Sequence, residues 1–270
     1  NITASEVLEH SSNIGTSRLI DQYYHDNPEK YVRGVYRTGI HDDLQLPLVG
    51  YAKPRIRMPK KDKTGRYWEN WSNTALPWMS IGYETQLPPL NILTFYNAIA
   101  NDGKMIRPDL VSELQQNGET IKQFDTEVLN NRICNDETLQ NIRLCLHDVV
   151  WDNHLGTASV RSWGGRVVDY KAQSELVHIA GKTGTAQLFM NGRYSGRNHR
   201  MTFVGYFPEE DPQYTCICMI ENPKNVGLYD AGYDCGNVVR TIAEKTIAYS
   251  DYYVYEGDSL VLKMKEGKWK

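Results

Sequence analysis

The feature that most constrains the fold is a change in the spacing of apolar residues near residue 176. Before this point apolar residues recur at helical intervals, and after it they alternate as they do in strands. The segments ELVHIAGKTGTAQLF, HRMTFVGYFP and QYTCICMIE predict three strands, and PEEDP predicts a hairpin-like turn between the last two. GNVVRTIAEKTIAYS then predicts a closing helix. This order indicates an α+β fold, in which helices cover an antiparallel sheet.

Three earlier segments carry helical patterns. TASEVLEHSSNIGTSRLIDQYY predicts a helix that is broken around Gly15, and PLNILTFYNAIANDGK predicts a helix that ends at Gly103. DETLQNIRLCLHDVVWD predicts a helix with Asp136 as its cap. The apolar stripe of this last helix consists of Leu139, Ile142, Leu146, Val149 and Val150.

Composition limits the number of domains and the classes of ligand that the chain can have. A chain of 270 residues with 40% apolar residues can bury a core, in one large domain or in two modest ones. The net charge of −3 argues against a dedicated nucleic-acid binder. Residues 53–66 hold seven Lys or Arg against one Asp, but their prolines favour a solvated loop over a site for an anionic polymer.

The cysteines and the hydropathy exclude other classes. Five cysteines form no C-x-x-C pair, so we interpret them as small buried side chains and not as a metal or redox centre. No run of about 18 apolar residues predicts a membrane span. With neither a metal cluster nor a nucleotide loop in the sequence, we predict no cofactor.

The segment GKTGT, which begins at Gly181, resembles the end of a nucleotide-binding P-loop. That loop needs a further glycine five positions earlier, and here the position is Leu176. The intervening VHIA is strand-like, so the P-loop interpretation fails.

On a strand, KTGT permits two interpretations. Gly184 leaves room for another backbone, so an extended peptide can pair with the strand through main-chain hydrogen bonds. Lys182 and two threonine hydroxyls can then hold a carboxylate at the end of the peptide. An edge strand with a glycine bend and no ligand is equally compatible with the pattern.

A second short feature is HSSNIG, which contains Ser11, Ser12 and Asn13. A serine and an asparagine two positions apart can both face a site when the backbone between them turns. By itself the trio is more typical of a helix end or a turn.

Together, SSN and KTGT resemble the second and third signatures of the penicillin-recognising serine acyl-transferases. LPWMSIGYETQLPPLNILTFYNAIANDGKMIRP, LGTASV and HRMTFVGYFPEEDPQYTCICMIENP resemble further segments of class B penicillin-binding proteins. The chain to about residue 249 is similar to the division-type peptidoglycan D,D-transpeptidases. The resemblance implies the fold shared by these transpeptidases and the serine β-lactamases, incomplete at its N-terminus.

The sequence departs from this family at one point. The family nucleophile lies in a Ser-x-x-Lys motif, and no serine here is followed by lysine three positions later. We therefore expect the nucleophile to lie outside these residues and the chain by itself to be inactive.

The resemblance also implies residue roles. The catalytic residues are Ser11, which relays a proton, Asn13, which orients the substrate amide, and Lys182, which biases the Ser11 hydroxyl. The remaining implied site residues bind substrate, and they are Thr183, Gly184, Thr185 and Gln187. Thr183 and Thr185 hold the terminal carboxylate, and the N–H of Thr185 forms half of an oxyanion hole.

The implied ligands are peptidoglycan stem peptides that end in D-Ala-D-Ala, and β-lactam antibiotics. The implied partners of the parent protein are division-machinery proteins. The resemblance also implies that the parent protein works at the extracytoplasmic, periplasmic face of the cell membrane, anchored by a helix upstream of these residues. We expect residues 1–250 to be the C-terminal portion of the transpeptidase domain and leave 251–270 as an unassigned tail. Two alternatives stay open, namely a non-catalytic penicillin-recognising sensor and a serine hydrolase such as a β-lactamase or carboxypeptidase.

Overall fold

The change from helices to strands is present in the computed structural model of the chain. The structure describes residues 2–67, 71–163, 166–190, 192–224, 230–249, 253–256 and 259–262. The helices are α1 (Ala4–Glu9), α2 (Asn13–Tyr24), α3 (Pro28–Arg37), α4 (Ala75–Ser80), α5 (Pro89–Ala100), α6 (Asp136–Trp151) and α7 (Asn237–Tyr249). A π-helical turn over Gly232–Gly236 precedes α7.

The strands form one three-stranded sheet and several pairs. The short strands are β1 (Arg55–Ile56), β2 (Thr85–Gln86), β3 (Met105–Ile106), β4 (Glu113–Gln116), β5 (Glu119–Gln123), β6 (Val128–Asn130), β7 (Arg161–Trp163) and β8 (Arg166–Asp169). They are followed by β9 (Ala180–Met190), β10 (Arg193–Phe207), β11 (Tyr214–Glu221), β12 (Tyr253–Glu256) and β13 (Ser259–Leu262). The sheet is antiparallel with the order β11-β10-β9.

The chain divides into two compact units. One unit consists of residues 1–11 and 142–270, and the other of residues 12–141. The small core of the second unit is built from Val32, Ile56 and Met79. The predicted division into residues 1–250 and a tail stays a prediction, and β12 and β13 are the part of that tail that the structure describes.

The core of the first unit explains how the sheet is covered. Its buried side chains come from α6, α7 and β10, and include Val149, Val239, Ile247, Met201 and Phe203. Burying these apolar side chains together is the main favourable contribution to folding of this unit. The predicted α+β architecture, with an antiparallel sheet and covering helices, is confirmed.

Glycine allows the two central strands of this sheet to approach closely. Gly181 on β9 lies opposite Gly205 on β10. A Cβ on Gly181 would lie 2.5 Å from the carbonyl oxygen of Val204 and 2.7 Å from the ring of Phe203. Any larger residue there would force the strands apart.

Two local predictions were wrong by a few residues. Asn135, and not Asp136, caps α6, because its Oδ1 accepts a hydrogen bond from the N–H of Thr138 at 2.8 Å. The helical break predicted around Gly15 occurs earlier, at Ser11, whose φ is 53°. Gly15 lies in the first turn of α2, where its N–H donates to Ser12 Oγ.

The other boundaries follow the sequence closely. Gly103 ends the α5 region with a φ of 81°, and its N–H donates to the carbonyl of Ala98. The five cysteines are free thiols that are buried or half-buried. Within the described residues, no helix combines the length and the hydropathy that crossing a membrane requires.

Candidate active site

Strand β9 carries five of the predicted site residues on the edge of the sheet. Lys182 lies opposite Val204 of β10, and Gly184 lies opposite Thr202. Among the described strands, β10 alone pairs with β9, so the other edge of β9 has no strand neighbour there. A Cβ on Gly184 would meet one atom, the Cβ of Thr202 at 3.9 Å. The space around Gly184 therefore suits the approach of another backbone.

Ser11 is brought to this strand by α1. Thr3 caps α1 with a capping box, and Val7 of the helix is buried. The chain then turns, with the N–H of Ser11 donating to the carbonyl of Leu8 at 3.1 Å and Ser11 in the left-handed region. The Nζ of Lys182 donates a hydrogen bond of 2.8 Å to Ser11 Oγ. Two residues that stand 171 positions apart in the sequence thus meet within one unit.

Burial destabilises the protonated, charged form of Lys182. Burial lowers the pKa of Lys182 from its ordinary value of 10.5 to about 8. Its Nζ also lies 3.0 Å from the carbonyl oxygen of Thr183 and 3.4 Å from Thr183 Oγ1. A proton therefore leaves this amine more readily than it leaves an exposed lysine.

A second hydroxyl pair extends this cluster. Thr183 Oγ1 lies 2.6 Å from Thr157 Oγ1, and Lys171 donates to the carbonyl of Thr157 at 3.1 Å. Lys171 in turn pairs with Asp230 at 3.1 Å. Sequence reasoning missed Thr157 and Lys171 as site residues, although Thr157 lies in the LGTASV segment that carries the resemblance.

The remaining predicted residues lie in different surroundings. Thr185 and Gln187 are exposed on β9, opposite Met201 and His199. Because side chains alternate along a strand, they share a face with Thr183. Asn13 is the first residue of α2, is exposed and belongs to the other compact unit, so its role stays a prediction.

This arrangement can perform two kinds of chemistry. A lysine with a pKa near 8 that contacts a serine hydroxyl can assist proton transfer to or from a group bound there. The hydroxyls of Thr183 and Thr185 can accept or donate hydrogen bonds beside a positive charge, as a carboxylate ligand requires. In the described part of the chain, no group of three or more His, Cys, Asp or Glu side chains is arranged to hold a metal ion.

Comparison with known proteins places these features in a family context. The family profile described as "Penicillin binding protein transpeptidase domain" matches residues 1–244. The "Probable peptidoglycan D,D-transpeptidase PbpC" of Pseudomonas aeruginosa is 29% identical over 228 residues, covering 84% of this chain and 34% of the relative. The chain spans about a third to a half of the length of the curated relatives it matches.

Solved structures give the same fold. The transpeptidase domain of Burkholderia pseudomallei penicillin-binding protein 3, in its apo form, matches with a TM-score of 0.69 and 22% identity, covering 92% of this chain and 64% of that one. Penicillin-binding protein 3 of Mycobacterium tuberculosis in complex with aztreonam matches with a TM-score of 0.69 and 24% identity, covering 96% and 54%. The predicted transpeptidase-type fold is therefore confirmed.

Proposed function

The chain belongs to the family of penicillin-binding protein transpeptidase domains, and we propose that it forms the substrate-binding part of a peptidoglycan D,D-transpeptidase. The reaction is acyl transfer from a stem peptide that ends in D-Ala-D-Ala. A serine attacks the penultimate carbonyl, D-Ala leaves, and an amine of a neighbouring stem takes the acyl group. Dividing the amide exchange into two steps is the advantage of covalent catalysis.

The observation that carries the proposal is the 2.8 Å contact between Lys182 Nζ and Ser11 Oγ beside the edge strand. Either short signature alone has a simple structural explanation. Their contact in one unit supports a shared chemical role, and the lowered pKa of Lys182 suits proton transfer near neutral pH.

We assign the following roles to these residues. Ser11 Oγ passes a proton to the leaving nitrogen, and Lys182 replaces or withdraws that proton across their hydrogen bond. The positive charge of Lys182 and the hydroxyls of Thr183 and Thr185 hold the terminal carboxylate. The N–H of Thr185 stabilises the oxyanion, Asn13 orients the substrate amide, and Gly184 and Gln187 border the bound peptide.

We further propose that the attacking serine is supplied by residues other than these 270, because the printed sequence has no Ser-x-x-Lys. The whole protein then acts outside the cytoplasmic membrane in septal wall synthesis, with division proteins as partners, and is a target of β-lactams. The complexes of a solved relative with aztreonam and ampicillin support the last point.

Labelling with a fluorescent penicillin tests the proposal. We expect no labelled band on a denaturing gel from the 270-residue chain, and a band from the longer encoded protein. In that longer protein, Lys182→Ala and Ser11→Ala should each slow acylation by about a hundredfold or more, because each removes a proton-transfer group. Lys30→Ala, a change of an exposed lysine on α3, is the matched control.

Three outcomes would contradict separate parts of the proposal. A labelled band from the chain alone would place the nucleophile among these residues. Failure of the longer protein to label would favour a non-catalytic sensor. A labelled protein that hydrolyses the peptide, and forms no crosslink when an acceptor amine is offered, would be a hydrolase.

A further inference from the structure

The hydroxyl of Thr183 already has two polar neighbours before any ligand binds. Its Oγ1 lies 3.4 Å from Lys182 Nζ and 2.6 Å from Thr157 Oγ1. The ammonium of Lys182 can only donate to this oxygen, whereas the hydrogen between the two hydroxyls can belong to either of them. The direction of this hydroxyl–hydroxyl bond therefore decides what Thr183 can offer to a ligand.

A bound carboxylate fixes that direction. An ionised carboxylate accepts hydrogen bonds and has none to donate, so Thr183 has to give its own hydrogen to the carboxylate. The two lone pairs of Thr183 Oγ1 then accept hydrogen bonds from Lys182 and from the hydroxyl of Thr157. In the bound state Thr157 is thus the donor of the pair, and the hydrogen of Thr183 is left for the ligand.

Backbone contacts hold Thr157 in place within the segment that follows α6. The N–H of the next residue, Ala158, donates to the carbonyl of Val149 in α6 at 2.9 Å, and its carbonyl accepts from the N–H of Ala172 at 3.1 Å. A Cβ on Gly232 would lie 2.4 Å from the carbonyl oxygen of Thr157, so the π-helical turn packs against this oxygen. Thr157 therefore has little freedom to move away from Thr183.

The side chain of Lys171 adds a charged contact to the same carbonyl. Its Nζ donates to the carbonyl oxygen of Thr157 at 3.1 Å and pairs with Asp230 Oδ2, also at 3.1 Å. The Lys171 side chain is 15% exposed, and its own carbonyl accepts a hydrogen bond from Arg240 Nε at 3.1 Å. Because Asp230 balances its charge, Lys171 stabilises the backbone of Thr157 and is not left to bind an anion itself.

We propose that Thr157 is a positioning residue for recognition of the acyl donor's carboxylate, and that Lys171 and Asp230 hold it in place. Thr157 donates its hydroxyl hydrogen to Thr183 Oγ1, and Thr183 donates in turn to the carboxylate beside Lys182. The inference rests on the proposed function, because it assumes that Thr183 binds this carboxylate. Thr157 acts through Thr183 and not on the reacting atoms.

This role depends on the charge of the ligand. A hydrogen bond to an ionised carboxylate is about twice as strong as one to a neutral acceptor, so a ligand whose carboxylate is esterified gains less from an oriented Thr183. A residue that is needed only for the packing of β9 would affect acid and ester equally. The ratio of the rates for the two ligands therefore separates a positioning role from a structural one.

Acylation of the longer encoded protein by benzylpenicillin and by its methyl ester tests the proposal. We expect Thr157→Val to slow acylation by the acid about tenfold, the size of one hydrogen bond to a charged group, and to change the rate with the ester by no more than about twofold. Thr157→Ser, which retains the hydroxyl, should preserve the ratio of the two rates. Thr241→Val, at an exposed position on α7 of the same unit, is the matched control.

A second comparison shows whether Thr157 acts through Thr183. In a Thr183→Ala background, Thr157→Val should have no further effect on acylation by the acid, because no hydroxyl is left to orient. Lys171→Met should lower the ratio of acid to ester about threefold, because Thr157 keeps its hydroxyl and loses one contact of its backbone. This variant also tests the proposal where Thr157→Val does not fold, and an unchanged ratio would contradict it.

The outcomes separate this inference from the proposed function. An equal loss with acid and ester, or the same loss from Thr157→Val in both backgrounds, would refute the positioning role and leave the proposed function intact. If the unmodified longer protein reacts with neither compound, the proposed function itself fails.

Discussion

The two ends of β9 are built differently. At the first end, Ala180 and Gly181 are buried, and glycine lets β9 and β10 approach closely. Burial there lowers the pKa of Lys182 to about 8. At the other end, Phe189 and Met190 are exposed, and the opposing strand is bulged. One strand thus joins a tightly packed segment to an open one.

The difference shows what each end can do. Shifting a pKa and fixing a proton-transfer distance require removal of water and dense packing, which only the buried end has. The open end lacks that packing. The first end therefore meets the physical conditions for proton transfer, and the second does not.

Replacing Gly181 by alanine should give the largest change in stability. The added Cβ would lie 2.5 Å from Val204 O and 3.0 Å from the Cα of Gly205, and neither backbone can move without separating β9 from β10. We expect a loss of about 3 kcal/mol in the free energy of unfolding, measured by urea denaturation.

Gly196→Ala is the matched control at the open end. A Cβ on Gly196 would meet nothing within 4 Å, so its effect should stay within about 0.5 kcal/mol. Equal losses from the two substitutions would show that the two ends do not differ in packing.

The sequence predicts the strands and helices of this region better than it predicts which residues they contact. The alternation of apolar residues around GKTGT is a local signal, so the strand could be predicted from it, although β9 begins at Ala180 and the predicted strand began at residue 175. The cap of α6 was misplaced by one residue because Asn135 and Asp136 are both good capping residues, and only the hydrogen bond distinguishes them.

The site was predicted only in part, because a local pattern does not show which distant residues meet in space. Resemblance led to Ser11 and Lys182, and their contact agrees with that prediction. Thr157 lies in the LGTASV segment, but the resemblance of that segment implied no role for it, and its contact with Thr183 is visible only in space. The bulge at residues 195–198 is likewise a property of strand register, which residue types do not specify.

Lys182→Met should stabilise the chain at neutral pH. A shift of the pKa from 10.5 to about 8 corresponds to about 3 kcal/mol of cost for the buried charge. The hydrogen bonds of the ammonium to Ser11 and Thr183 offset about 1 kcal/mol of this cost. We expect a net gain of about 2 kcal/mol at pH 7, at the expense of the proposed activity.

The dependence on pH provides the control for this prediction. Between pH 8 and 10.5 the unfolded chain binds a proton at this lysine that the folded chain has lost, so this group makes the folded state more stable as pH rises. The advantage of Lys182→Met over the unmodified chain should therefore shrink through this range. An advantage that stays constant with pH, or a Lys30→Met variant that behaves in the same way, would contradict a specific cost at Lys182.

The smallest expected effect concerns the hydroxyl pair that links β9 to the segment after α6. Thr157→Val keeps the shape of the side chain and removes its hydrogen bond of 2.6 Å to Thr183. A loss of about 1 kcal/mol in the free energy of unfolding is expected, and Thr157→Ser, which retains the hydroxyl, should lose less. A double-mutant cycle with Thr183→Val isolates the pair, because the second substitution should cost little once the first is present. Additive losses would show that the two hydroxyls act independently.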